Sequence, residues 1–115
     1  MQAAKFKVEF LEEAAEFLDS LDEKVRDKII YNITKSMFSS DKNLFKKLTD
    51  EIWEFRTLFN KTHYRLFAFW DKSGKGKTLV IATHGLIKKT DKTPKSDLNK
   101  DERLRKNYFE LKNKI

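Results

Sequence analysis

The period of the apolar pattern changes along the chain, and each change predicts an element. Lys5 to Phe10 (KFKVEF) alternates polar and apolar residues, which predicts a short strand whose lysines suit a sheet edge. Leu11, Ala14, Ala15 and Leu18 then recur at helical spacing, with Glu12, Glu13 and Glu16 on the opposite side. A second helix follows from about Glu23 to Phe38, antiparallel to the first across a tight turn. Val25, Ile29, Ile33 and Met37 form its stripe, and Ile30 widens it. Ser20 with Glu23 fits a capping box, and Asp22 serves equally well as the N-cap. Ser39 to Asp50 is a polar connection whose Leu44, Phe45 and Leu48 would lie over the rim of the core.

Period two then takes over. Ile52–Phe59, Thr62–Trp70 and Thr78–Leu86 are rich in β-branched and aromatic residues, and the polar turns Asn60-Lys61 and Ser73–Gly76 separate them. They predict an antiparallel meander. Beyond Pro94, Ser96 or Asp97 can cap a last helix through about Lys112, with a weak stripe of Leu98, Leu104, Tyr108 and Leu111. The expected fold is α+β. Two N-terminal helices pack on a small, mainly antiparallel sheet, a C-terminal helix follows, and residues 1–115 form one domain.

Composition narrows this picture. Ten phenylalanines argue for a real core despite 37% charged residues. The absence of cysteine excludes disulfides and thiolate metal sites. Acidic residues interrupt the apolar N-terminal stretch, so no signal peptide is expected. No apolar run approaches the roughly 20 residues that span a bilayer, and a cytoplasmic protein without membrane partners is the expectation. The net charge of +7 is uneven: −1 over residues 1–50, +3 over 51–83 and +5 over 84–115. The basic second half would attract a polyanion, although solubility alone also accounts for such a balance.

Chemistry concentrates in that half. Leu79 to Pro94 reads as an apolar strand that breaks at His84-Gly85 and delivers Lys88, Lys89 and Lys92 to its exposed end. Such a run can hold a phosphate chain or simply face water. Alternation puts Glu54 and Arg56 on one face of their strand, opposite Trp53, Phe55 and Thr57, and puts His63, Arg65, Phe67 and Phe69 together on the next strand. An arginine among strand aromatics must pair or reach a polar site. Arg56 can therefore pair with Glu54, or Arg56 and Arg65 can line a concave face and bind phosphate oxygens in bidentate fashion. His63 and His84 are the only histidines. As a pair they could act as general acid and base, and His84 alone, beside a glycine at a strand end, is the better placed. No histidine pair or carboxylate cluster suggests a metal site, no elbow surrounds a serine, and Gly74 and Gly76 sit in a hairpin and not in a phosphate loop.

IWEFR at Ile52–Arg56, YRLFAF at Tyr64–Phe69 and HGLIKKTDKTP at His84–Pro94, in this order and spacing, resemble the phage-derived HigB-like toxins of the RelE/ParE superfamily. The last motif is the most specific, and the resemblance covers most of the chain. It implies a RelE-like fold with two leading helices on a twisted sheet, and a toxin of a type II toxin–antitoxin pair. The implied activity is a ribosome-dependent endoribonuclease (mRNA interferase) that needs no metal or other cofactor. The implied partners are the ribosome, mRNA and a small helix-turn-helix, HigA-like antitoxin, with operator DNA met only through the antitoxin complex. Carried over by motif, Arg56, Arg65, Lys88 and Lys89 match basic positions of the family and His84 its histidine. In that reading Arg56 and Arg65 stabilise charge on phosphate, His84 or Lys88 transfers protons, and Lys89 and Lys92 contact the RNA backbone. Several members use a C-terminal tyrosine, but the helical position of Tyr108 aligns poorly with it. The alternatives are a ParE-like DNA gyrase inhibitor, which the two strand arginines and the lysine pair disfavour, and a non-catalytic nucleic-acid- or antitoxin-binding module.

Overall fold

In the computed structural model, which describes residues 3–74, 76, 78–88 and 94–114, the elements run in the order β1 (Lys7–Phe10), α1 (Glu12–Asp19), α2 (Glu23–Ser36), β2 (Phe45–Lys47), β3 (Trp53–Phe59), β4 (Thr62–Asp71), β5 (Leu79–Lys88) and α3 (Lys95–Asn113). At the centre of β4 five consecutive residues, Arg65 to Phe69, are buried. A strand covered on one side alternates buried and exposed positions, so unbroken burial means cover on both faces. The five strands form one mixed sheet in the order β1-β5-β4-β3-β2. β5, β4, β3 and β2 pair antiparallel in turn, and β1 adds to the far edge parallel to β5.

The meander is as the alternation predicts, and Asn60 and Lys61 turn it with positive φ at both positions (49° and 65°), the geometry of a tight type I′ hairpin. The connection after α2 holds an additional strand, β2, too short and lysine-rich to show a period. Its Phe45 is no rim residue: it is buried, stacked on Phe55 at 4.3 Å and packed against Phe6 and Trp53.

Helices α1 and α2 cover one face of the sheet. Asp22 is the N-cap of α2 and accepts from the Lys24 amide, while Ser20 closes α1 by donating to the Phe17 carbonyl. Ala14 and Leu18 from α1 and Val25, Ile29 and Ile33 from α2 bury onto Phe55, Leu66, Ala68, Val80 and Ala82. Each large aliphatic in that layer contributes about 1.5–3 kcal/mol of burial. Ile30 does not widen the stripe. One residue past Ile29 it is turned about 100° away, and it is exposed together with Tyr31. A buried hydrogen bond from Asn32 Nδ2 to Thr57 Oγ1 (3.1 Å) fixes α2 on β3.

β5 does not break at His84-Gly85; it continues to Lys88. A register shift opposite Phe67/Ala68 inserts Thr83 as a bulge, so both Thr83 and His84 are buried within the strand. Gly85 serves packing: a Cβ there would overlap the Phe17 ring of α1.

The second face is partly covered by α3, which starts two or three residues earlier than a cap at Ser96 or Asp97 implies, with Pro94 in the N-cap position. Of the expected stripe, Leu98, Leu104 and Tyr108 are half-buried and Leu111 is exposed, and much of the rest of the seat is polar. Phe69 meets Tyr108 and Phe109 at 5.3 and 5.6 Å between ring centroids. Buried Asp71 accepts from Tyr108 Oη and Lys112 Nζ, both at 2.6 Å. The strands present Asp71, Thr83 and His84 on this side, so the helix turns Asp97, Asp101, Tyr108 and Lys112 toward them. No helix among the described residues is long and apolar enough to cross a membrane.

Candidate functional site

The part of the second face that α3 leaves open lies across the Lys88 end of β5, the first half of β4 and the second half of β3. Register fixes what it displays. Arg56 is opposite Arg65, His63 is opposite Lys88, and Glu54 is opposite Phe67, which in turn is opposite His84. Two arginines side by side on adjacent strands repel unless an anion separates them. Glu54 supplies it: one oxygen, Oε1, lies 3.4 Å from Arg56 Nε and 3.6 Å from Arg65 Nε. The three form a fork, a carboxylate holding two guanidiniums.

Burial separates their roles. Glu54 and Arg65 are each 2% exposed, whereas Arg56 is 17% exposed. The fork borders a pocket of about 290 Å³ lined by Asn43, Arg56, Thr57, Leu58, His63 and Arg65. Arg56 is therefore the guanidinium a ligand meets first, with Arg65 beneath it as a second fixed charge. Lys88 is half-buried at the same end of the face, across from His63, and it too is partnered.

His84 is placed elsewhere than the sequence pattern implies. It is mid-strand, 3% exposed and closed over by α3, because β5 runs on past Gly85. Its ring stacks on Phe67 at 4.7 Å. Nδ1 is 2.9 Å from Thr83 Oγ1 and Nε2 is 3.2 Å from Asp97 Oδ1. Nε2–H can donate to Asp97, while the Thr83 hydroxyl, which also reaches the Phe67 carbonyl at 3.3 Å, lies against Nδ1. Burial holds the imidazole below its ordinary pKa against the opposing pull of Asp97, so the ring is neutral at pH 7. With both nitrogens occupied, His84 anchors α3.

His63 and His84 stand four residues apart along paired strands, about 13 Å, and do not meet. His63 is the histidine at the pocket. Lys89 and Lys92 lie outside the described residues. Glu54 is the member that reasoning from sequence undervalued: alternation put it beside Arg56, but only as a neutralising partner.

Behind His84 lies a second buried acid. Asp101 is fully buried near the Thr83 hydroxyl and the Ala68 amide, and neither of its oxygens has a hydrogen-bond partner within bonding geometry among the described residues. Burial pushes its carboxyl up to about 8. Asp71 is the converse: burial opposes its ionisation, but hydrogen bonds from Lys112, Ser73 and Tyr108 hold it well below the usual carboxylate range.

The description "Phage derived protein Gp49-like" fits residues 16–106, from mid-α1 through most of α3, and so takes in the whole arginine face. Among curated proteins, none matches the chain. With about four-fifths of its length matched, this chain belongs to the phage-derived Gp49-like family, a toxin-like family of toxin–antitoxin systems.

Proposed function

We propose that this protein is the toxin of a toxin–antitoxin pair and inhibits translation by cutting mRNA on the ribosome. The observation that carries the reading is the Glu54–Arg56–Arg65 fork beside a pocket that also presents His63. Cleavage of RNA within the chain needs little beyond an aligned 2′-hydroxyl and a cationic environment. The 2′-oxygen attacks the adjacent phosphorus, the bond to the 5′-oxygen breaks, and a 2′,3′-cyclic phosphate and a 5′-hydroxyl result. The phosphorane gains negative charge, which Arg56 offsets directly and Arg65 through the field of a buried, fixed cation. Glu54 positions both guanidiniums. His63 is the group at the pocket to take the 2′-hydroxyl proton or return one to the 5′-oxygen, and Lys88 opposite it is a second proton donor. Lys89 and Lys92, which follow Lys88 in the sequence, are proposed to contact the RNA backbone. His84 is a positioning residue in this scheme.

Among the described residues the site has one weak base and no carboxylate placed to act as a strong one, which favours a substrate that the ribosome has already aligned. Its neutralising partner is proposed to be a small helix-turn-helix, HigA-like antitoxin that lays acidic or amphipathic chain over this face, with operator DNA bound only through that complex.

Primer extension on mRNA in a cell-free translation reaction, beside the same RNA without ribosomes, tests the reading. New cuts on translated RNA only, lost in Arg56→Ala, are expected. Arg56 is the variant of choice because its side chain reaches solvent and its truncation should leave the fold intact. Cuts on free RNA would make it an ordinary ribonuclease. No cuts together with inhibited gyrase supercoiling would assign it to the ParE-like class.

A further inference from the structure

The two tryptophans of the chain stand together at the opposite end of the sheet from the arginine pocket. Trp53 opens β3 and Trp70 nears the end of β4, and their rings meet edge-on at 6.0 Å and 74°. Both are half-buried, and neither indole N–H donates to an acceptor among the described residues. They are held from behind: Phe45 packs on Trp53 at 4.8 Å and Phe6 meets Trp70 edge-on at 5.3 Å. Two clefts share this pair as a wall. One, of about 650 Å³, adds Lys47, Lys72, Arg105, Asp50 and Glu51; the other, of about 290 Å³, is bounded by Phe6, Phe45 and the loop at Ser39. Arg105 reaches from α3 to Glu51 at 3.1 Å and so fixes the side of the larger cleft.

We infer that this tryptophan cleft is a second nucleic-acid subsite, which takes an unstacked base of a single strand on the indoles and its flanking phosphates on Lys47 and Lys72. A purely apolar ligand would leave the lysines without an anion, and an acidic peptide would offer the indoles no planar base to stack on. A nucleotide uses every element: rings for the base, lysines for phosphate, and carboxylates as acceptors for exocyclic amino groups. Trp53 is about 10 Å along β3 from Arg56, but on the other face, so one strand would round the short β2 edge to touch both. The inference shares with the cleavage reading only the expectation that single-stranded RNA is the ligand.

The test uses the whole protein and a 2′-O-methyl oligoribonucleotide of about ten residues, which cannot be cut, so binding is read apart from cleavage. Because Trp53 and Trp70 are the only tryptophans, intrinsic fluorescence reports on this cleft alone. Saturable quenching is expected, and it persists in Arg56→Ala. Lys47→Glu with Lys72→Glu, both exposed positions, should weaken binding at least about tenfold and lower the salt dependence. Lys47→Gln with Lys72→Gln serves if the reversed charges perturb folding, as judged by thermal melts. Oligonucleotide binding, seen by anisotropy of an end label, with unchanged tryptophan emission would overturn the inference. So would undiminished affinity in the lysine variants, or tighter quenching by poly-glutamate. Absence of cuts in the translation assay bears on the arginine site and leaves these outcomes intact.

Discussion

Asp101→Asn should make this protein more stable at neutral pH than its parent, and the size of the gain follows from the buried carboxyl. Asp101 is fully buried under α3, and burial raises its pKa from an ordinary 3.8 to about 8. The folded state therefore keeps a proton that the unfolded chain releases between those values. The sign follows: the unfolded state binds fewer protons, so stability falls as pH rises through the window and changes no further above about 8. From pH 5 to pH 8 the loss runs over three pH units at about 1.4 kcal/mol each, close to 4 kcal/mol. The loss is capped by what holds α3 in its seat, since lifting the helix lets Asp101 ionise in water. Asparagine keeps the shape and cannot ionise. All other groups are common to both proteins, so the difference curve isolates the change at position 101. Urea unfolding, followed by tryptophan emission and far-UV circular dichroism at pH 5, 6, 7 and 8, gives that curve. The two proteins should be close at pH 5 and diverge steadily to pH 8. Parallel curves would mean that Asp101 is ionised in the fold, and the reasoning from burial would fail.

Three further substitutions probe the scaffold. Gly85→Ala drives a methyl into the Phe17 ring and should cost about 1–3 kcal/mol in urea unfolding, whereas a change within 0.5 kcal/mol would show that α1 yields freely. Lys61→Gly relieves a side chain held at φ 65° in the β3–β4 turn and should stabilise by about 1 kcal/mol, read from the urea midpoint; a loss would mean that the lysine makes contacts worth more than its strain. Tyr108→Phe removes one donor to buried Asp71 and should cost about 1.5–3 kcal/mol at pH 7. Because the depressed carboxyl of Asp71 contributes stability above its ordinary pKa that is lost as pH falls below it, the variant should also lose less on acidification from pH 5 to pH 2.5; an unchanged acid limb would exclude Tyr108 from that effect.

The sequence made the meander, the two leading helices and the faces of β3 and β4 legible, because each rests on a local period. Glu54, Arg56, His63 and Arg65 share one side in the structure as alternation requires. What stayed hidden depends on partners distant in sequence. The alternation that marks β1 says nothing of its parallel pairing with a strand some 70 residues later, and β2, ordered by Phe45 stacking on Phe55, is too short to show a period. His84-Gly85 reads as a break because glycine usually interrupts strands. Only the position of Phe17 shows that the glycine makes room for a ring. The seat of α3 was legible only in part. The stripe finds the half-buried Leu98, Leu104 and Tyr108, but it includes the exposed Leu111 and misses Asp101, a fully buried residue of a type that usually marks a surface.

The same sheet face thus carries two polar arrangements, and Phe67 divides them. Its ring is fully buried, stacked on His84 on one side, while its register partner on the other strand is Glu54. An aromatic there keeps the carboxylates of the helix seat, Asp97 and Asp101, apart from the arginine fork, where added negative charge would oppose binding of a phosphate. It also explains why the two histidines differ although both point to this face. His84 lies on the helix side of Phe67, neutral and fully engaged, while His63 lies beyond Arg65 with the pocket open before it. Loss of His84 would reach the fork only through the packing of Phe67, whereas loss of His63 removes a group from the pocket itself. The histidine that a motif singles out and the histidine that lines the pocket are, in this fold, different residues.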